Sequence, residues 1–396
     1  MSPVTLPLPL AVIGGGPAGA FCAAELAAAG HAVVLVDEKL AWEKPCGGGI
    51  TDKALRHFPF LRDAAYPHNP VAECELTSPA GRSVVLLLDR SVAIFSRRTL
   101  NALLLDRAGR AGAAIVHDRV VGLGVEGGAW RLKLRNAPPL AARAVVVAAG
   151  ARNPFRALPA PLGPAEWMAT AGYYLPLDRL PWPAQRMAVR FLPGLEGYLW
   201  SFPRGDHASV GICGALGSPP TAELRHRLEQ ALDQWGIAWR GAPFYSHLLP
   251  APTGASLRRA RFAGPSPLPW ALIGDAAGLV DPITGEGLFY ALRSAELLAQ
   301  AWAPSGTSPA AAPAAYLELL RRELLPELLA ATAIAPRFYH GRFLGHSVLE
   351  RMVLFTQRSP RFRQLMCDLF SGAQCYLGLR ARLYRQLLPT LWQLAS

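Results

Sequence analysis

The sequence predicts an α/β protein with an α+β second domain, and three observations lead to that fold class. A short apolar segment runs into the glycine-rich turn Gly14–Gly19, and a helical segment follows it. A second glycine-rich turn, Gly274–Gly287, again lies between an apolar segment and a helical one. The chain has 396 residues, 51% of them hydrophobic, which is more than one ordinary core needs and enough for two intertwined domains.

The first forty residues have the strand–turn–helix–strand order of a dinucleotide-binding unit. Leu10–Ile13 is predicted as a strand, and residues 14–19 have the spacing G-x-G-x-x-G. Ala20–Ala29 is predicted as a helix that the next glycine ends. The apolar segment His31–Val36 is predicted as a second strand, and an aspartate stands at its carboxyl end.

Each glycine of this turn has a physical role in binding a pyrophosphate. Gly14 permits the tight turn, Gly16 lets the backbone approach the phosphates, and Gly19 lets the helix pack closely against the strand. The helix amino terminus offers free N–H groups and a positive dipole. Asp37 can accept hydrogen bonds from ribose hydroxyls, which suits FAD or NAD. The predicted cofactor contacts of this unit are Gly14, Gly16, Pro17, Ala18, Gly19, Asp37, Glu38 and Lys39.

The second glycine-rich turn favours a flavin over a nicotinamide cofactor. Trp270–Ile273 is predicted as a strand, and the carboxylate of Asp275 behind it can accept hydrogen bonds from the polyol chain of a flavin. A helix predicted from Leu288 to Trp302 would direct its positive end at the flavin ring, where it stabilises the anionic reduced form. An NAD dehydrogenase does not need this second turn. FAD is therefore the predicted cofactor, and the contacts predicted here are Asp275, Gly285, Gly287 and Leu288.

Charge and cysteine content indicate which classes of ligand the protein binds and in which cellular compartment it resides. Lys and Arg number 40 and Asp and Glu 28, so the net charge of +12 favours anionic ligands. No basic tail and no zinc-finger spacing occurs, so neither nucleic acid nor a metal is a predicted ligand. The six cysteines are scattered without a C-x-x-C pair, as expected in a reducing compartment. With no signal peptide and no apolar run of about 20 residues, we expect a cytoplasmic protein, with peripheral membrane contact left open.

Two segments resemble those of the p-hydroxybenzoate hydroxylase-like flavoproteins, and a third differs from theirs at one position. Residues 274–287 match the pattern G-D-A-A-G-x-x-x-P-x-x-G-E-G of their second flavin motif. Arg97–Asn101 is similar to their R-x-x-[FL]-[DN] segment, which implies that Arg97 lies near the cofactor. The alternative is a solvated arginine at a helix start. Ala149 stands where their D-G segment has aspartate, which argues against hydroxylase-type nicotinamide recognition. The resemblance implies a Rossmann-like, GR2-type FAD-binding domain, a sheet-based substrate domain and carboxyl-terminal helices.

One further segment resembles the cysteine–glycine signature of the geranylgeranyl reductase family. Pro45–Ile50 is similar to that signature in its form P-C-G-G-G. The resemblance implies that Cys46, Gly47 and Gly48 adjoin the flavin, because glycines let the backbone lie flat against a ligand. Cys46 would then position an alkene or supply a proton to it. The alternative is that Cys46 is a small buried hydrophobe, as many cysteines are.

The segment Gly197–Pro203 is similar to the Y-x-W-x-F-P strand of the same family. Period-two alternation puts Tyr198, Trp200 and Phe202 on one face of this strand. Because the cysteine segment is also present, we interpret these three aromatic side chains as the wall of a long apolar cavity. Without that segment, the same alternation would indicate an ordinary core strand. Val210–Cys213 is predicted as the antiparallel partner. The candidate catalytic residues are Cys46, Tyr198 and Trp200.

The motif positions predict a discontinuous architecture and a reaction class. The FAD-binding domain is expected from residues 1–70, 92–157 and 265–302, the substrate domain from 70–91 and 158–264, and a helical region from 303–396. The resemblance implies an FAD-dependent oxidoreductase that reduces carbon–carbon double bonds of an isoprenoid or similar lipophilic small molecule. Hydride would come from reduced flavin, and NAD(P)H or another donor would reduce the flavin. The substrate, the donor and the oligomeric state stay open.

Other classes fit parts of the same sequence. An FAD-dependent monooxygenase, hydroxylase or halogenase acting on an aromatic small molecule would share the fold. Ala149 disfavours the hydroxylase, and the halogenase strand usually has the pattern W-x-W-x-I-P, which residues 198–203 do not match. A non-enzymatic flavoprotein or a partner-binding scaffold is disfavoured by the two complete flavin turns.

Overall fold

Short runs of Val, Ile, Leu and Ala form the buried strands of the computed structural model. The structure describes residues 8–63, 65–151, 154–155, 158–159, 162–163, 165–217, 220–302 and 310–395. The strands, in chain order, are β1 (Leu10–Ile13), β2 (Val33–Asp37), β3 (Gly49–Ile50), β4 (Asn69–Thr77), β5 (Ser83–Ile94), β6 (Ala114–His117), β7 (Val120–Glu126), β8 (Ala129–Leu134), β9 (Leu140–Ala142), β10 (Ala144–Val147), β11 (Trp167–Leu175), β12 (Arg186–Arg190), β13 (Gly197–Pro203), β14 (Ala208–Ala215), β15 (Phe244–Pro250), β16 (Ala263–Gly264), β17 (Trp270–Leu272), β18 (Arg342–Phe343) and β19 (His346–Ser347).

Helices connect and cover these strands. In chain order they are α1 (Pro17–Ala28), α2 (Asp52–His57), α3 (Arg97–Arg110), α4 (Thr221–Gln234), α5 (Gly254–Arg259), α6 (Leu288–Ala301), α7 (Ala312–Glu323), α8 (Leu325–His340), α9 (Val348–Arg358), α10 (Pro360–Phe370) and α11 (Tyr376–Ala395). No helix in the described part of the chain combines the length and hydrophobicity needed to cross a membrane.

Six strands form the sheet that carries both glycine turns, in the order β16-β17-β10-β1-β2-β6. β1 pairs in parallel with β2 and β10, and all four residues of β1 are buried. α1 packs against α3 and α6. Because parallel strands end at the same edge of a sheet, the turns after β1, β10 and β17 lie side by side.

The first helix begins earlier than predicted. Its first residue is Pro17, not Ala20. Proline suits the first helical position because its fixed φ matches the helix and its missing N–H would have no partner there. The turn itself is therefore residues 14–16, and residues 17–19 form the first turn of the helix.

Eight strands form the second sheet, in the order β15-β11-β14-β13-β12-β4-β5-β3. The predicted partner of the aromatic strand is confirmed, because β13 and β14 are antiparallel with Trp200 opposite Gly211. The short strand β3 pairs with the end of β5, so the glycine loop after Cys46 joins this sheet. The domain boundary expected at residues 91–92 falls within β5.

Helices cover the two faces of the second sheet. α4 packs against β11 and β14, while α9 and α10 pack against β5. The apolar cluster on the second side includes Val71, Leu86, Tyr339, Val353 and Leu365. Tyr198 and Phe202 pack against that cluster, so the aromatic face of β13 points toward the carboxyl-terminal helices.

Candidate active site

The first glycine turn leaves open space at the amino terminus of α1. Gly14 has φ +106°, and a Cβ there would lie 2.4 Å from the carbonyl oxygen of Ala148. A Cβ on Gly19 would lie 1.8 Å from the carbonyl oxygen of Gly14. A Cβ on Gly16 would meet nothing within 4 Å. Protein packing therefore demands glycine at positions 14 and 19, whereas Gly16 borders free space beside unpaired helix N–H groups.

Asp37, at the end of β2, shapes the turn that follows it. Its Oδ1 accepts the backbone N–H of Lys39 at 2.7 Å and that of Leu40 at 2.6 Å, and its Oδ2 accepts that of Gly15 at 2.7 Å. A carboxylate has about four lone-pair sites, so Oδ2 can still accept a ligand hydroxyl. The side chain of Glu38 pairs instead with Arg119 and Arg135, each at 3.5 Å.

The second glycine turn touches the first. A Cβ on Gly274 would lie 2.9 Å from the Cβ of Ala18. Asp275 follows, and its Oδ2 lies 3.5 Å from Nζ of Lys44. Gly285 has φ +68°, a conformation that favours glycine, and α6 begins at Leu288 just beyond it. The helix starts of α1 and α6 thus border one space, as the two motifs predicted.

Arg97 is not a solvated residue at a helix start. It is the first residue of α3, and only 3% of it is exposed. Its Nη2 donates to Asn101 at 3.4 Å, while its buried Nε has no hydrogen-bond partner among the described groups. Buried polar groups normally have partners, so this donor is consistent with an acceptor on a bound ligand.

Both turns open into one cavity of about 290 Å³. Gly16, Cys46, Arg97, Asp275 and Gly287 line one part of it. Another part is bordered by apolar side chains of the second sheet and the carboxyl-terminal helices. We call this part the apolar arm, and it is lined by Val92, Ile94, Met187, Val189, Phe191, Tyr198, Trp200, Phe202, Phe338, Leu369 and Phe370.

The cysteine loop lines the same cavity and touches the aromatic strand β13. Cys46 is half-buried, and its Sγ accepts the backbone N–H of Gly48 at 3.3 Å. A Cβ on Gly47 would lie 2.6 Å from the ring of Phe202, and one on Gly48 would lie 2.1 Å from the carbonyl oxygen of Phe95. The close approach that these two glycines permit is thus with the protein's own residues.

The aromatic face of β13 lines the apolar arm, with Tyr198, Trp200 and Phe202 all bordering the cavity. The ring centroids of Tyr198 and Trp200 are 6.2 Å apart. The Tyr198 hydroxyl donates to the carbonyl oxygen of Thr284 in the second glycine turn, and burial raises the pKa of this tyrosine well above its ordinary value. Trp200 donates its indole N–H to Ser209 at 3.2 Å.

Several polar residues of the cavity were not predicted from the sequence. Burial raises the pKa of Glu286, which lies 3.9 Å from Lys53 and accepts the Thr51 hydroxyl at 3.0 Å. Glu327 accepts two backbone N–H groups at the start of α11. Glu286 lies inside the second glycine motif, so its place in the site could have been predicted from the sequence. Glu327 reaches the cavity from a distant helix, and no local pattern marks it.

These features fit FAD. The open space at Gly16 beside the start of α1 suits a pyrophosphate, and the free acceptor site on Asp37 suits a ribose hydroxyl. The Nε of Arg97, which has no hydrogen-bond partner among the described residues, suits an acceptor on the cofactor.

Comparisons with known proteins agree with this geometry. The family model "FAD dependent oxidoreductase" matches residues 64–328, two thirds of the chain. Menaquinone reductase of Mycobacterium tuberculosis is 30% identical over 329 residues, covering 73% of this chain and 75% of the relative. Geranylgeranyl diphosphate reductase of Rhodobacter capsulatus is 29% identical, covering 73% of each chain.

A solved structure shares the fold over nearly the whole chain. It is a geranylgeranyl bacteriochlorophyll reductase-like protein from Thermoplasma acidophilum, with a TM-score of 0.74 and 20% identity, covering 96% of this chain and 98% of that one. FAD is therefore the cofactor, and the enzyme class predicted from the motifs is confirmed. The chain belongs to the FAD-dependent oxidoreductase family and, within it, to the geranylgeranyl reductase-like flavoproteins.

Proposed function

We propose that this oxidoreductase reduces carbon–carbon double bonds in the prenyl chain of a lipophilic substrate. One observation carries the proposal: the glycine turns that fit FAD and the apolar arm open into a single cavity, and Cys46 lines that cavity. The names of the two relatives, menaquinone reductase and geranylgeranyl diphosphate reductase, point to the same substrate class.

In this proposal the chain holds FAD along its two glycine turns. Gly16 and the start of α1 receive the pyrophosphate, and Asp37 receives the ribose. Asp275 holds the polyol chain, and the positive end of α6 beyond Gly287 stabilises negative charge on the ring. When reduced, FAD supplies a hydride to the substrate.

The apolar arm holds the chain to be reduced. The aromatic face of β13 forms one wall, and Phe338 and Phe370 of the carboxyl-terminal helices contribute to the opposite side. An apolar chain gains about 0.8 kcal/mol for each methylene that it buries in such a site. The walls also exclude water, so an alkene there is kept apart from competing solvent.

Cys46 can act at the second carbon of the double bond. Its Sγ accepts the Gly48 N–H, so the thiol proton is free to be directed toward the cavity. Reduction needs one hydride and one proton per double bond, and we propose that the thiol orients the alkene or delivers this proton. Tyr198 and Trp200 serve as walls that orient the chain beside Cys46.

The charges of the cavity favour a substrate with an uncharged head. Among the described lining residues the side-chain cations are Lys44, Lys53 and Arg97. Lys44 lies 3.5 Å from Asp275, and Lys53 lies 3.9 Å from Glu286. Two further carboxylates, of Asp281 and Glu327, also line the cavity. Each of the two lysines already faces a carboxyl group, and Arg97 is assigned to the cofactor. No cation among the described lining residues is then left to pair with a diphosphate, so we propose a neutral head such as a quinone.

Anaerobic reoxidation of the reduced protein tests the proposal. FAD bound to the purified protein is reduced with dithionite, and menaquinone or geranylgeranyl diphosphate is then added in separate cuvettes. We expect the flavin to reoxidise with menaquinone and much more slowly with the diphosphate. After the quinone ring is reoxidised in air, the lipid should remain heavier by two hydrogens per reduced double bond.

Two other results would each overturn a different part of the proposal. Faster reoxidation with geranylgeranyl diphosphate would overturn the uncharged head but keep the alkene reductase. Reoxidation only after oxygen is admitted, with oxygen or a halogen in the product, would replace the proposal with the monooxygenase or halogenase reading of the fold.

A further inference from the structure

A buried arginine ties the cysteine loop to the second sheet and, through a glutamate, to the start of α3. Arg204 directly follows β13 and is fully buried, and its Nη2 donates to the carbonyl oxygen of Cys46. Its Nη1 donates to the carboxylate of Glu43. Glu43 in turn accepts the Ser96 hydroxyl at 2.6 Å and the backbone N–H of Arg97 at 2.9 Å. One guanidinium therefore joins the second sheet, the cysteine loop and the start of α3.

A second donor reaches the same carbonyl oxygen. Ser209 of β14 donates its hydroxyl to the Cys46 carbonyl at 3.0 Å. Because a hydroxyl has one proton, the Ser209 oxygen must accept from its other two neighbours. These are the indole N–H of Trp200 at 3.2 Å and the hydroxyl of Tyr245 at 2.7 Å. The donor direction is thus fixed, from Tyr245 through Ser209 to Cys46.

The two donors act on a segment that would otherwise be mobile. Residues 47–49 are three consecutive glycines, which have the greatest conformational freedom of any residue type. The Cys46 side chain leaves the backbone beside the carbonyl that Arg204 and Ser209 hold. Fixing that peptide plane, together with the bond from Gly48 N–H to Sγ, fixes the direction of the thiol.

We propose that Arg204 and Ser209 are positioning residues that hold the Cys46 carbonyl and thereby aim the Cys46 thiol into the cavity. The importance of this for catalysis rests on the proposed function, in which Cys46 adjoins FAD and the alkene. The positioning itself is a property of the loop and is measurable without any lipid substrate.

The test is the alkylation rate of Cys46 in the FAD-loaded protein. Iodoacetamide is added to wild type, Arg204→Lys and Ser209→Ala, and the Cys46 peptide is followed by mass spectrometry. We expect Cys46 to react about tenfold faster in each variant, as loss of one such hydrogen bond implies. The double variant should gain less than the product of the two effects, because both donors share one acceptor.

A matched control separates positioning from general damage. Arg186→Gln removes another arginine–glutamate pair of the same sheet, Arg186 with Glu73 at 2.7 Å, and should leave the Cys46 rate unchanged. Visible circular dichroism of the bound flavin should change in the two test variants and not in this control.

Unchanged alkylation of Cys46 in folded, FAD-loaded Ser209→Ala would overturn the proposal, even if Arg204→Lys failed to fold. Faster alkylation in a protein that reduces no alkene would instead refute the proposed function and leave the positioning intact.

Discussion

At the scale of single residues, Cys46 is the side chain on which the proposed chemistry depends most. Cys46→Ala should retain FAD, because the glycine turns and Arg97 are untouched. Single-turnover alkene reduction should fall by about 100-fold, the lower range for a lost proton donor. Product formed after mixing reduced protein with substrate measures the rate, and Cys375→Ala, which removes an exposed thiol, is the control. An undiminished rate would remove Cys46 from the mechanism.

The titration of Glu43 makes the folding stability of the protein depend on pH. Burial opposes its charge, but Arg204, the Ser96 hydroxyl and two backbone N–H groups outweigh burial and lower the pKa of Glu43 below its ordinary value of 4.5. A carboxyl with a lowered folded-state pKa binds fewer protons when folded than when unfolded. Its stabilisation is therefore complete above pH 4.5 and is lost as the pH falls through the folded-state pKa.

Glu43→Gln should accordingly lower Tm by several degrees at pH 7, because the buried guanidinium of Arg204 loses its counter-charge. The difference in Tm between wild type and variant should shrink as the pH falls below 4.5. Thermal unfolding across a pH series measures this. A difference that stays constant with pH would show that the carboxylate charge contributes nothing.

At the scale of elements, two glycines of the first turn have different roles, one in packing and the other in ligand binding. Gly19→Ala should destabilise the apoprotein by about 3 kcal/mol, because its Cβ would overlap the carbonyl oxygen of Gly14. Gly16→Ala should leave the apoprotein Tm nearly unchanged and weaken FAD binding about tenfold or more, because its Cβ would enter the space kept for the phosphates. Chemical denaturation and FAD titration give the two numbers. Normal FAD affinity in Gly16→Ala would contradict the assigned site.

A larger side chain on β12 should block the apolar arm and slow turnover of a prenyl substrate. Val189 is buried and lines the arm, so Val189→Phe should fill part of it and lower kcat/KM for a prenyl substrate about tenfold. FAD content should not change. Val125→Phe, on the exposed part of β7, is the control with the same change in volume. Equal kinetics in both variants would mean that the substrate does not enter the arm.

Local elements were predictable from sequence, whereas their long-range partners were not. The strand β1, the two glycine turns and the aromatic strand each carry a pattern within a few residues. Arg204 and Ser209 have no such pattern, since their partner is the carbonyl oxygen of a residue about 160 positions away. Backbone contacts of this kind depend on the packing of the two sheets and leave no trace in composition or spacing.

At the scale of the whole molecule, we propose contact with a membrane surface, where a prenyl lipid would reside. The net charge is +12, and α11 exposes 64% of Leu377 and 62% of Tyr384, one above the other at i and i+7. Arg380 lies between them, 5.5 Å from the Tyr384 ring. Basic and apolar residues on one helix face are suited to an anionic bilayer surface.

Sedimentation with vesicles containing phosphatidylglycerol tests this contact. The wild type should bind at low salt and be released at high salt. The double variant Leu377→Glu and Tyr384→Glu should bind at least about tenfold more weakly, since each change removes an apolar contact and adds a negative charge. Val125→Glu is the control for an added charge at an exposed valine elsewhere. Equal binding by all three proteins would exclude this helix face.

The central claim is that reduced FAD and a prenyl chain meet in one cavity at the cysteine loop. The most direct measurement is a single anaerobic turnover in D₂O with dithionite-reduced protein and menaquinone, followed by mass analysis of the air-reoxidised lipid. We predict that the prenyl chain gains the mass of one D₂ for each flavin reoxidised. A reoxidised flavin with an unchanged chain, only the quinone ring having been reduced, would contradict the account.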